Sequence, residues 1–160
     1  MTKLTWTGVD PGLVDTGIVT VTLDNAERTV HVMATALRYA DVDTVADYLI
    51  NSQDLGAVFV EKYEDRGTTF KTHSEMRAFE TQLKRLVPSI VLLSNAGVKK
   101  VVKDDMLKRL HCFNFPTTNH RDLQAAARIG IYGALKDPAA NSLIYQYLID
   151  SVGGKPWKTL

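Results

Sequence analysis

Three acidic residues stand where this chain can support hydrolytic chemistry: Asp10, Glu61 and Asp122. Asp10 closes the apolar run of Leu4, Trp6, Gly8 and Val9 and precedes Pro11-Gly12. Glu61 closes GAVFVE, and Asp122 sits at the start of an Ala-rich stretch. Two divalent ions ~3.5–4 Å apart can activate a water and stabilise the leaving oxygen of a phosphodiester. Mg²⁺ is a hard cation and takes oxygen ligands, so such a site needs several convergent carboxylates. Each acid also has a plainer reading. Asp before Pro-Gly forms turns, a polar residue commonly ends a buried strand, and an acid in a helix's first turn gains ~0.3–1 kcal/mol from the dipole. The set carries weight only if folding gathers it at one sheet edge.

The elements that must do the gathering can be read in order. Pro11 presets φ for the first central position of a turn, and Gly12 suits the positive φ of a type II turn at the second. Ile18 to Leu23 restarts as a strand, and Thr29 to Ala36 alternates as a third, so the opening predicts an antiparallel meander. Asp41 to Gln53 has helical apolar spacing, and Gly56 to Glu61 is a short, continuous apolar strand. Lys62 to Thr69 is a polar loop; Phe70 to Leu86 is a second helix, closed by Pro88. Ile90 to Leu93 is a further strand, and Val98 to His111 is predicted as one helix with Lys99, Lys100 and Lys103 on a shared face. A loop from Asn114 to Asn119 leads to a helix over His120–Lys136 whose small apolar face can pack close to a sheet. Asp137-Pro138 opens a last helix, and the stretch GGKPWKTL is expected to be a flexible tail.

The order βββαβαβαα implies an α/β fold: a mixed five-stranded sheet, three strands antiparallel and two parallel, flanked by helices. Residues 1–150 form one domain and 151–160 the tail in this reading. If the strand ending in Glu61 returns parallel beside the first, Asp10 and Glu61 meet at the carboxyl edge, where open α/β sheets place ligands.

Composition narrows the classes. The apolar runs are too short to span a membrane, the N-terminus lacks a secretory apolar core, and Cys112 is the single cysteine, so a cytoplasmic protein is expected. Net charge is +1, but residues 1–61 carry three basic against nine acidic residues and residues 62–111 carry eleven against six. A basic middle beside an acidic first third can place carboxylates next to a polyanion-binding surface; solvated helix faces produce the same asymmetry. His73, His111, Cys112 and His120 lack zinc-ligand spacing, there is no Ser-His-Asp nucleophile signature and no phosphate-cradling Gly-rich loop, and no organic cofactor is expected.

Three stretches together resemble the RuvC family of Holliday junction resolvases: GVDPGLVDTGIVTV, VFVEKYEDRG and TTNHRDLQAAARIGIYGAL. They match, in order and spacing, that family's strand with a DPG turn and Thr-Gly, its buried strand ending in glutamate, and its Asp opening an Ala-rich helix. The resemblance runs from about Leu4 to Lys136, and the short, divergent chain suggests a bacteriophage version. It implies an RNase H-like fold, Mg²⁺ or Mn²⁺ dependence with two ions, and a homodimer cutting opposed strands of a four-way DNA junction to leave 5′-phosphate ends. Asp10, Glu61 and Asp122 match three metal-binding acids. The family's fourth ligand falls on Asn119, a neutral oxygen donor and a departure; His120, next in sequence, is the alternative, and an Mn²⁺ preference stays open.

DNA contacts implied by the resemblance involve Arg66, Lys71, Arg77, Lys99, Lys100 and Lys103 at phosphates. Tyr63 or Phe70 is available to stack on a base, an interaction worth ~1–3 kcal/mol; Phe70 is equally read as core, at helical spacing from Met76. Two rival functions share the fold: a nuclease for flap or RNA–DNA substrates, and a non-catalytic junction-binding protein.

Overall fold

Runs of β-branched and apolar residues set the first three strands, and their short connections leave only antiparallel pairing. The computed structural model describes residues 2–64 and 70–160, the Phe70 side chain apart. Strands β1 (Lys3–Asp10), β2 (Asp15–Asp24) and β3 (Thr29–Arg38) form the meander. Helix α1 (Val42–Asn51) starts at Asp41, whose carboxylate accepts from the Thr44 amide at 2.8 Å. It returns the chain to β4 (Ala57–Glu61), parallel to β1. Helix α2 (Phe70–Leu86) leads to β5 (Val91–Leu93), parallel to β4.

The five expected strands therefore take the expected mixed arrangement, and a sixth joins them. The order is β5-β4-β1-β2-β3-β6, where β6 (Lys158–Thr159) lies parallel to β3. Residues 151–160 are thus not a free tail. Trp157 is buried, donates to Asp150 Oδ2 at 3.0 Å and packs edge-on against Tyr147, while Arg28 pairs with Asp150 at 3.2 Å. A large aromatic ring with a satisfied N–H outweighs the Gly and Lys around it.

Side chains alternate across a strand, and the two sheet faces carry separate cores. Val9, Ile18 and Val60 pack with Val45 and Leu49 of α1 and Leu83 of α2. Trp6, Val19, Val21 and Phe59 pack with Leu123, Ala126 and Ala127 of α5 (His120–Ala134). Helix α6 (Pro138–Val152), capped by Asp137, lies in the same layer through Leu143, Ile144 and Tyr147.

Helix α5 sits unusually close to the sheet. A Cβ on Gly8 would stand 1.8 Å from the Ala126 carbonyl oxygen, so backbone meets backbone there. The small-residue face read from the sequence is what permits this.

Two local expectations change. Gly12 does not take positive φ; glycine is needed there for space, since a Cβ would lie 2.3 Å from the Asp15 carbonyl oxygen. The single helix over Val98–His111 is two short ones, α3 (Val98–Val101) and α4 (Asp104–Arg109). Val102 leaves helical geometry and Lys103 is extended, while Asp104 and Asp105 favour a fresh N-terminus. Lys103 is thereby separated from Lys99 and Lys100. Among the described residues no helix is long and apolar enough to cross a membrane.

Gly8→Ala is expected to destabilise the fold by about 1–3 kcal/mol or more, the usual range for overpacking. Urea unfolding checks this, and an unchanged midpoint would mean that α5 is free to move outward.

Candidate active site

The parallel register pairs Val9 with Val60, so Asp10 and Glu61 are the next residues on adjacent strands ~4.8 Å apart. Both lie on the α5 face, because Gly8 and Phe59, two residues earlier on each strand, pack against α5. On its other side Asp10 is paired with Gly17 of β2. A Cβ on Gly17 would fall 2.5 Å from the Asp122 carbonyl oxygen, so the first turn of α5 rests directly on that strand. Register, alternation and one close backbone contact thus carry Asp10, Glu61 and Asp122 to the same end of the same face.

Their electrostatics reflect crowding. Burial, then the facing Glu61 carboxylate and a hydrogen bond to it, and last the charge of Asp122 push the Asp10 carboxyl up to about 9. Like charges in a poorly solvated site oppose one another's ionisation, which favours the protonated form of Asp10. Asn95, in the loop after β5, donates Nδ2–H to Glu61 Oε1. The Asp122 carboxyl is also raised, by burial first and by the neighbouring Asp15 second, with His120 opposing.

Asp10 and Glu61 form the close pair, and Asp122 joins them through its charge. Among the described residues no group of three or more His, Cys, Asp or Glu side chains stands ready around one point. The donor set nonetheless fits a hard divalent cation. It is oxygen only, and a cation would relieve the repulsion between Asp10 and Glu61 that raises the Asp10 carboxyl.

Asn119 and His120 are placed at the start of α5. Asn119 is the N-cap residue, and its side chain makes no capping hydrogen bond. His120 Nδ1 lies 3.1 Å from the Thr117 carbonyl oxygen. A carbonyl only accepts, so Nδ1 carries the hydrogen in that contact.

A cleft of about 550 Å³ opens beside the acid pair, lined by Asp10, Glu61, Asn95, Lys99, Lys100 and Arg128 among others. Lys99 and Lys100 are exposed there; Lys103, capping α4, is not part of the lining. Arg128 is held by the Val102 carbonyl and by Asp104 at 2.7 Å. The sequence offered no sign of it, because a single Arg in an Ala-rich helix has no pattern. A smaller recess of about 170 Å³ adjoins Pro11, Tyr63 and Met76. Tyr63 is half-buried: its amide donates to Glu80 Oε2 at 2.9 Å and its ring meets His73 at 5.4 Å. Lys71 pairs with Glu75 at 3.8 Å and Arg77 is exposed on α2, so neither lies in the lining of the cleft. Arg66 falls outside the described residues, as does the side chain of Phe70.

Asp15 was not anticipated. Placed between Pro-Gly and Thr-Gly it looks like a turn residue, yet it begins β2 two positions before Gly17 and so shares the face that carries Asp122. Period-two spacing from Gly17 was the available signal.

No protein-family model matches the sequence, and no curated protein matches it. Among solved structures the fold is similar to T. thermophilus RuvC in complex with Holliday junction substrate. That likeness has a TM-score of 0.59 at 11% identity and covers 96% of this chain and 98% of the other. A second Thermus thermophilus RuvC structure gives 0.52 at 12% identity, covering 96% and 99%. The chain therefore has the RuvC-like, RNase H-type α/β architecture.

The raised Asp10 carboxyl makes stability depend on pH with a defined sign. The folded chain holds a proton that the unfolded chain releases above the ordinary Asp value of 3.8. The resulting stability is complete below that value and is lost as pH rises towards about 9. In metal-free urea unfolding, Asp10→Asn should exceed the wild type in stability by a margin that grows across this window. A margin independent of pH would contradict the protonated pair.

Proposed function

We propose that this chain is a divalent-metal-dependent endonuclease that cuts branched DNA, four-way junctions foremost. The observation that carries the reading is the Asp10–Glu61 carboxylate pair at the carboxyl end of two adjacent parallel strands, with Asp122 brought alongside by α5. Supporting it are the cleft that Asp10 and Glu61 line together with Lys99 and Lys100 and a fold similar to a RuvC solved with Holliday junction substrate.

In this reading Asp10 and Glu61 would hold Mg²⁺ or Mn²⁺, with Asp122 the acid that would serve a second ion. A bound divalent ion supplies Lewis acidity at the phosphoryl group and lowers the pKa of water. The chain's own residues do the rest. Asn95 fixes one oxygen of Glu61 and so limits its rotation. Asp10 would act as a ligand in its carboxylate form, its proton released to solvent. Lys99 and Lys100 hold the DNA backbone across the cleft as fixed positive charges. His120, in its neutral form, would accept through Nε2 the proton released by the attacking water. The water oxygen bonds to phosphorus, the P–O3′ bond breaks, and the products carry a 5′-phosphate and a 3′-hydroxyl. Two opposed cuts in one junction call for two such sites, hence a homodimer.

A labelled four-way junction tests this. Wild-type chain with Mg²⁺ or Mn²⁺ is expected to nick it and to be silent with EDTA. Asp10→Asn should lose cleavage by at least about 10³-fold while retaining junction binding in a mobility-shift assay, the scale seen when one group stabilising a transition state is removed. Tight binding without cutting at any metal concentration would favour the non-catalytic alternative, and preferential cutting of a flap or an RNA–DNA hybrid would move the substrate class.

Salt dependence checks the basic face. Lys99→Ala with Lys100→Ala should weaken junction binding and reduce the slope of log K against log salt by nearly two. An unchanged slope would place the DNA elsewhere.

A further inference from the structure

The two edges of the sheet differ. The β5 edge is three residues long. β3 is ten residues long, and β6 covers only its start, pairing at Thr29 and Val30. The Lys158 and Leu160 amides donate to the carbonyls of Arg28 and Val30 at 2.8 and 2.9 Å, so these even-numbered positions turn their backbone polar groups outward. Alternation along an antiparallel strand continues that orientation through Val32, Ala34 and Ala36. Their outward N–H and C=O groups meet no backbone partner among the described residues.

The usual protections of such an edge are missing. Charged side chains, proline and bulges ordinarily blunt it. Thr29 to Leu37, TVHVMATAL, contains no Lys, Arg, Asp, Glu or Pro. Pairing with β2 is unbroken from Thr29 to Arg38, so no bulge turns the strand away. Val32 and Ala36 lie on the α5 side of the sheet with Ala34, which is exposed. Thr35 and Leu37 lie on the α1 side with Met33, which is 55% exposed.

We infer that the open edge of β3 receives a second copy of this chain, the two β3 strands pairing antiparallel about Thr35 into one continuous sheet. The inference rests on the proposed junction nuclease for its need of two sites, and it names the surface that joins them. An exposed strand presents donors and acceptors in alternation, and turned end for end it is complementary to itself. β6 already occupies the edge beside Val30, so the paired stretch lies beyond it. With the two-fold at Thr35, Ala34 of one copy faces Ala36 of the other, each such pair exchanging both of its backbone hydrogen bonds. Met33 of each copy meets Leu37 of the other and loses its exposure. No charge is desolvated between Val32 and Leu37, which suits a like strand and offers nothing to a phosphate backbone.

The symmetry also serves the site. The axis stands perpendicular to the sheet, so the α5 faces of both copies, and both acid pairs, look to the same side. Asp10 is level with Ala36 through Gly17. At ~4.8 Å per strand, the order β1-β2-β3 doubled across the axis sets the two acid pairs about 25 Å apart on that side.

The test is sedimentation equilibrium of the full chain, without DNA or metal. Met33→Lys puts a charge on the edge at a residue outside both cores, and Ala34→Pro deletes an outward N–H. Circular dichroism and the melting temperature report whether each variant is folded. The wild type is expected to dimerise, and folded Met33→Lys to do so at least about 10-fold more weakly. Ala34→Pro should be weaker still; if it does not fold, Met33→Lys decides. Thr35→Cys reports the register. Cα atoms of a non-hydrogen-bonded antiparallel pair lie ~4.5 Å apart, within reach of a disulfide. Cys112 is buried, so mild oxidation should give a covalent dimer of Thr35→Cys and none of the wild type. A wild type monomeric at every concentration, a dimer whose Kd is unmoved by Met33→Lys, or a Thr35→Cys dimer that does not cross-link would overturn the inference. The nuclease reading fails separately, on junction cleavage: a β3-joined dimer that cuts no DNA removes that reading and leaves the interface standing.

Discussion

Backbone contact between α5 and the first two strands is the constraint on which the rest depends. A helix ordinarily rides on its side chains, but here Gly8 lies under the Ala126 carbonyl and Gly17 under that of Asp122. These contacts leave α5 little freedom to slide or rotate. The first turn of the helix is consequently fixed over the end of β2, and its acid is presented to acids from the sheet. Shape in this region precedes chemistry: the small residues of GVDPGLVDTG and of the Ala-rich helix position the carboxylates without touching any ligand.

What that positioning produces is an electrostatic conflict. Asp10 and Glu61 are brought together by strand register, and Asp122 and Asp15 approach from α5 and β2. Three of the four show the crowding: an Asp10 carboxyl pushed up to about 9, a raised Asp122 carboxyl, and a shielded Asp15 oxygen with no hydrogen-bond partner. Residues that serve only the fold are seldom arranged this way, because neutral substitutes would be more stable. A divalent cation resolves the conflict, and so proton and metal compete for the same place. That competition ties stability, metal affinity and pH together in one site.

Much of this was legible in the residues. β-Branched runs with short links gave the meander, continuous apolar runs gave the parallel strands, and strand-ending acids gave the Asp10–Glu61 pairing before any register was known. The errors have local causes. Trp157 docks the C-terminal segment through a ring and a partner, Asp150, seven residues away, which composition alone does not reveal. The break between α3 and α4 depends on two residues, Val102 and Lys103, leaving helical geometry inside a segment of acceptable helical spacing. Gly12 meets a need for space, not for positive φ, and a turn signature does not tell the two apart. Asp15 was hidden by its setting, because a turn-forming dipeptide on each side disguises the first residue of a strand. Arg128 offered no pattern at all; only the fold brings it to the cleft.

The central claim is that the carboxylates at this sheet end exist to hold divalent cations. The most direct measurement is anomalous diffraction from crystals soaked in Mn²⁺. The account expects a strong peak at coordination distance from the carboxyl oxygens of both Asp10 and Glu61, with the proton between them displaced. Mn²⁺ bound only elsewhere on the surface, with Asp10 and Glu61 still hydrogen-bonded to each other, would contradict it.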